Sequence, residues 1–250
     1  SPPLSPAPLR SPRRVELITK VGDNNLKGIL KGQFGLDNIN EFYVDFTYDQ
    51  ALDKALFRLD QVKVDLEGNL WQLRNEKNNS FIYNSAINEF VIDNVALSTA
   101  NQSFEINGAY QSKSNFSLDI ASDQISLAKI LPKGEKFNFE GTLSSDFSIV
   151  QETGQQLLET DIKIDSLVIN GTSMGDFVLE AGGSSQLKTY QIKTALTKHG
   201  KTALNGRGNI FIPETTPKID IDLELQRLDI SFLSALGKDK ITDVVGDLSG

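Results

Sequence analysis

The strongest constraint on the fold is the alternation in the stretch Lys218 to Gly250, KIDIDLELQRLDISFLSALGKDKITDVVGDLSG. Ile219, Ile221, Leu223 and Leu225 alternate with Asp220, Asp222 and Glu224. That is the period of a strand with one dry face and one wet face. The short apolar piece SFLSALG follows, and Val244, Gly246 and Leu248 then resume the alternation. The same arrangement occurs earlier at a constant spacing of 105 positions. Leu118 matches Leu223, Ile125-Ser126 matches Ile230-Ser231, Leu131 matches Leu236, and Gly141, Leu143 and Ser144 match Gly246, Leu248 and Ser249. A weaker echo sets Glu67-Gly68-Asn69-Leu70 beside Glu140-Gly141-Thr142-Leu143. Two amphipathic strands would match apolar with apolar by alternation alone. The Gly-x-Leu-Ser match and the intervening short helix are not explained that way. Repetition implies stacked units sharing one core, here about 104–150 and 202–250.

Along the chain, strand signals recur. Residues 1–14 hold five of the eight prolines and read as a linker, tail or remnant, since proline lacks an N–H and fixes φ. From Val15 onward the chain reads as one section of a repetitive, elongated β domain over 15–250. Strands are expected at Glu41–Tyr48, Leu56–Leu66, Glu89–Leu97, Phe104–Tyr110, Asn115–Ile120, Phe137–Ile149, Glu159–Ile169, Asp176–Ala181, Leu187–Leu196 and Thr202–Ile212. The apolar phase changes within Leu56–Leu66, which predicts a bulge near Gln61. Asn107-Gly108, Asn170-Gly171 and Asn205-Gly206 supply φ > 0 residues for tight hairpins. Gly182-Gly183 and Lys198-His199-Gly200 also read as connectors. Helical signals are confined to Leu127–Leu131 and Phe232–Leu236. The expected fold is all-β: long antiparallel strands in a repetitive, rolled half-pipe sheet with very short helices. A strand of the length of Phe137–Ile149 spans about 40 Å at ~3.3 Å per residue. A wide sheet of such strands must roll to hide its apolar face, and either fills the interior itself or leaves a trough.

The chemistry is sparse. The net charge of -8 argues against nucleic acid, which needs a basic stripe, and against docking on anionic lipid heads. With no cysteine there is no disulfide, thiolate metal site or cysteine nucleophile. His199 is the only histidine and sits in a turn-like tripeptide, so neither a Ser-His-Asp triad nor a zinc site is expected. Asp220 and Asp222 are explained as the wet face of a strand, and no calcium-binding loop is present. No run is long enough to cross a membrane as a helix, and no signal peptide is visible. The chain stops in mid-pattern at Ser249-Gly250 and reads as a section of something longer. No cofactor, metal or enzymatic activity is expected.

The run LDISFLSALGKDKITDVVGDLSG, with strand, short helix and Gly-x-Leu-Ser-Gly, resembles the TamB family of translocation and assembly module proteins, part of the AsmA-like superfamily. Ile164–Ala181 is similar to a second recurrent element of that family through Leu167, Ile169, Gly171, Gly175, Asp176, Leu179 and Ala181. The two elements cover about 164–250, with a weaker copy over 116–145. The resemblance implies a β-taco-like half-pipe with a hydrophobic inside, in a periplasmic protein anchored in the inner membrane. It implies phospholipid carried between inner and outer membrane, help with barrel assembly, or both, beside an outer-membrane barrel partner of the TamA/BamA type. The membrane anchor and the domain that would meet that barrel are missing from these residues.

The residues themselves allow the same trough. A track for acyl chains needs apolar side chains on one face and no polar catalytic cluster, and gains about 0.8 kcal/mol per buried methylene. The candidate lining is Phe137, Phe139, Leu143, Phe147 and Ile149, with Ile219, Ile221, Leu223 and Leu225 in the second copy and Val244 and Leu248 beyond. The alternatives are a closed core in a structural solenoid or adhesive stalk, a glycan-active β-sandwich or jelly roll, and a barrel seated in the outer membrane.

Overall fold

The computed structural model describes residues 12–34, 40–66, 68–131, 137–186, 188–211, 218–226, 228–229, 231 and 247–248. The chain is all-β. Its strand pairs are antiparallel, and a single α-helix of four residues stands among the described residues. It divides into two compact units, residues 1–101 and 102–250.

The first unit holds β1 (Pro12–Val21), β2 (Asn25–Phe34), β3 (Asn40–Ala51), β4 (Lys54–Leu66), β5 (Asn69–Leu73), β6 (Ser80–Asn84) and β7 (Glu89–Ser98). β1 to β4 form a meander. Proline is tolerated at the first residue of β1, an edge strand, because no N–H is demanded there. β4 is long enough to carry two short neighbours. Lys54–Arg58 pairs with β6 and Lys63–Leu66 with β5, and both neighbours pair on with β7. Asn79 fills the break between β5 and β6. It is 3% exposed, its Nδ2 donates to the carbonyls of Arg74 and Lys77, and its Oδ1 accepts from the Ala96 amide.

The phase change in β4 is a bulge. The register steps from Asp45–Gln61 to Phe46–Leu59, which makes Asp60 the extra residue. Thr47 Oγ1 donates to its carboxylate at 2.5 Å. On the other face, aromatic rings form a row across four strands. Phe46 and Phe57 stack at 4.9 Å, Phe57 and Phe81 lie at 6.0 Å, and Phe81 and Phe90 at 6.2 Å. Gly28 and Gly32 of β2 lie against the rings of Phe46 and Phe42. Neighbouring aromatic rings thus cover the bare glycine backbone.

The second unit is a meander of β8 (Ser103–Ser112), β9 (Asn115–Ser126), β10 (Phe139–Glu152), β11 (Gln155–Ile169), β12 (Thr172–Ser184), β13 (Thr189–Lys198), β14 (Lys201–Phe211) and β15 (Lys218–Leu225). Helix α1 (Leu127–Ile130) follows β9, and β16 (Leu228–Asp229) pairs with β17 (Asp247–Leu248). Asn170-Gly171 and His199-Gly200 make the tight turns expected of them, with φ of 53° and 79°, and of 53° and 72°. Asn107-Gly108, Asn205-Gly206 and Gly182-Gly183 do not turn. They lie inside β8, β14 and β12. A strand glycine often marks a close approach of the neighbouring strand. A Cβ at Gly108 would come 2.6 Å from the Ser117 carbonyl oxygen, and one at Gly183 would come 2.3 Å from that of Thr189.

The core of this unit gathers at one end of the strands. Leu127, Leu167, Met174, Leu196 and Ala203 are buried together, with Leu143, Ile164, Ile169, Phe177, Leu204 and Leu228 packed around them. Local breaks in register converge on this end. Gln124 in β9, Ser166 in β11 and Gly175 in β12 take positive φ at ladder irregularities, and Ala203 is the extra residue where β14 slips against β13. Bulges bend and twist strands. Leu127 of α1 and Leu228 pack with the residues gathered at this end. A one-turn helix is unstable alone; α1 is held by its buried Leu127.

Candidate functional site

The candidate site is the apolar face of β9 to β15 beyond that cluster. Ladder register decides which residues share it, because directly opposed residues in an antiparallel pair point the same way. Ile149 opposes Leu118 on β9 and Leu158 on β11. Phe147 opposes Ile120 and Thr160, and Leu143 opposes Ile125 and Ile164. The rows run on through Leu179 and Ile192 to β15, where Ile219, Ile221, Leu223 and Leu225 oppose Ile210, Gly208, Gly206 and Leu204.

Leu143, Phe147, Ile149, Ile219, Ile221, Leu223 and Leu225 therefore lie on one continuous face. Leu143 belongs to its closed end, since it packs on the buried cluster. Phe139 opposes Ile169 at the same end, and its ring stacks on Phe137 at 5.9 Å. Phe137 precedes β10 rather than lying in it. Val244 falls outside the described residues, and Leu248 is placed by its backbone in β17.

Away from the cluster this face is not sealed. Leu118, Ile120, Phe147, Ile149, Leu158, Ile162, Leu179, Ile192 and Ile210 are all half-buried. On β15, Ile219 is 68% and Leu223 57% exposed. Among the described residues no large side chain is fully buried. The residues that sequence reasoning missed, such as Leu158, Ile162, Leu179 and Ile192, carry the same signal. Each alternates with a charged or polar neighbour.

The opposite face is charged. Asp146 opposes Asp161, which opposes Glu180, and the row continues through Lys193 and Arg207 to Asp222. Lys193 Nζ lies 3.7 Å from Glu180. A hydrogen bond to Asp165 raises the pKa of Lys163 above the usual lysine range. Among the described residues each unit has a hollow on a polar face. The first, of about 510 Å³, is flanked by Lys31, Tyr43, Lys63 and Glu41; the second, of about 560 Å³, lies over the bare Gly182 and is rimmed by Glu159, Asp161, Glu180 and Lys193. Their mixed-sign, open walls suit water. Among the described residues no group of acidic or histidine side chains is placed to hold a metal ion. His199 lies in the β13–β14 turn.

Comparison with known protein families, curated proteins and solved structures gives no match. No helix among the described residues is long and apolar enough to cross a membrane.

Proposed function

We propose that this chain is a lipid-handling section of a periplasmic envelope-biogenesis protein. Its apolar β face takes phospholipid acyl chains and passes them between inner and outer membrane, or assists the assembly of an outer-membrane barrel. The observation that carries the reading is the half-buried apolar face of β9 to β15, packed shut among the described residues at the end formed by Leu127, Leu167, Met174, Leu196 and Ala203. A sheet that used this face as a core would cover it. An acyl chain laid along it gains about 0.8 kcal/mol per methylene removed from water. The face lacks charged groups, so nothing on it would fix a lipid at one point. The resemblance of the C-terminal stretch to the TamB family supports the same reading.

The test is native mass spectrometry of the purified chain with lipid extraction, on the wild type and on Phe147→Asp and Ile192→Asp. Both residues sit on the open part of the face, so both variants are expected to fold. Co-purified phospholipid that the substitutions remove supports the proposal. A lipid-free wild type that also takes up none from phospholipid vesicles overturns it, and favours the structural spacer.

A further inference from the structure

The three Asn-Gly pairs of the sequence sit in different surroundings. Asn107-Gly108 and Asn205-Gly206 lie in strand ladders, Gly108 opposite Leu118 and Gly206 opposite both Thr194 and Leu223. Both of these glycines are buried. Asn170-Gly171 is the two-residue connection between β11 and β12, with Ile169 opposite Thr172. Its residues take φ of 53° and 79°, Gly171 is exposed, and nothing lies within 4 Å of where its Cβ would stand.

An asparagine followed by glycine carries its own electrophile and nucleophile. The carboxamide carbon is one and the next backbone nitrogen is the other, and glycine has no Cβ to hinder their approach. In a ladder the paired backbone must open locally before the two can meet. Gly171 stands outside the ladder. The Asn138 amide also donates to Asn170 Oδ1 at 2.9 Å. A donor on that oxygen polarises the carbonyl and stabilises the negative charge that gathers there when the carbon is attacked.

We infer that Asn170 is a site of spontaneous deamidation. The Gly171 nitrogen bonds to Asn170 Cγ and gives up its proton, the Cγ–Nδ2 bond breaks, and Nδ2 leaves as ammonia. Water then opens the succinimide ring, at one carbonyl to aspartate and at the other to isoaspartate, with no further reactant. Both products add a negative charge. Isoaspartate also lengthens the main chain inside a turn whose flanks are tied to the closed end of the apolar face. Ile169 packs on the buried cluster there, and Thr172 Oγ1 lies 3.0 Å from Ser231 Oγ. The reaction is independent of what the apolar face carries.

The test ages the purified chain in mildly alkaline buffer and follows, in its proteolytic peptides, the mass gain of about 1 Da that each deamidation brings. It is repeated in concentrated urea, and on folded Asn170→Asp, a substitution that keeps a residue type tolerant of left-handed φ. The inference expects the peptide holding Asn170 to convert in the folded chain about tenfold faster or more than those holding Asn107 and Asn205. In urea the three should convert at similar rates, and Asn170→Asp should abolish the gain in its peptide. Conversion at Asn170 no faster than at Asn107 and Asn205 in the folded chain overturns the inference. So does a preference for Asn170 that persists in urea, or a gain in that peptide that survives Asn170→Asp.

Discussion

Gly28 on β2 lies beneath the ring of Phe46 on β3, so that a Cβ at Gly28 would stand 2.3 Å from the ring's Cζ. The ring is also the first member of the aromatic row that runs through Phe57 and Phe81 to Phe90. Gly28→Ala must displace that ring and disturb the row. It is expected to lower stability by about 1–3 kcal/mol, the usual range for overpacking. Combined with Phe46→Leu, the loss should fall short of the sum of the two single losses, because both changes act on one contact. Urea unfolding of the four species checks this.

Asn79 carries a larger load than its loop position suggests. Its side chain ties three backbone groups, at Arg74, Lys77 and Ala96, and its own backbone bonds to Leu59 and Asn94. Asn79→Ala leaves buried groups unpaired and keeps the left-handed φ of 49°. The expected loss is about 3 kcal/mol. Hydrogen exchange should localise it to β5, β6 and the middle of β4.

Asp146 and Asp161 face each other directly on the polar side of β10 and β11. Like charges at opposed positions destabilise a sheet by a few tenths of a kcal/mol to about 1 kcal/mol. Asp146→Lys is therefore expected to raise the unfolding midpoint, with the gain shrinking as salt is added. A variant less stable than wild type at low salt would show that these carboxylates do not repel in the folded chain.

The two ends of the apolar face should respond differently to truncation. Met174→Ala opens a cavity in the closed cluster and is expected to lose about 2–5 kcal/mol. Ile192→Ala, on the open part, should lose about 1 kcal/mol or less, since solvent already reaches the side chain. Thermal unfolding of the pair reads the difference.

Much of this was legible in the sequence because the side-chain period of a strand is two. Phe147 and Ile149 on β10, and Ile219 to Leu225 on β15, emerge on one face as the alternation requires. The phase change in Leu56–Leu66 marks the bulge at Asp60. What the sequence hid lies where that period breaks. Met174, Leu167 and Ala203 enter the end cluster through backbone irregularities, and nothing in a residue's identity announces a left-handed Gln124 or Ser166. The glycine pairs misled for a related reason. Asn-Gly suits a hairpin, but at Gly108 and Gly206 the glycine serves a close neighbour within a strand, and only the paired strand reveals that. Turns without an Asn-Gly signal, such as Thr153-Gly154, also went unseen.

The central claim is that the apolar face of the second unit is open to an acyl chain. The chain has no cysteine, so a single introduced thiol reports on one position without ambiguity. The most direct measurement is maleimide labelling of Ile149→Cys, Leu196→Cys and Asp161→Cys, with and without phospholipid vesicles. The account predicts fast labelling at 149 that phospholipid slows by about tenfold or more, slow labelling at 196 throughout, and fast labelling at 161 that lipid leaves unchanged. Slow labelling at 149 without lipid would mean a sealed core, and fast labelling there that lipid does not touch would mean an open face that carries none; either result contradicts the account.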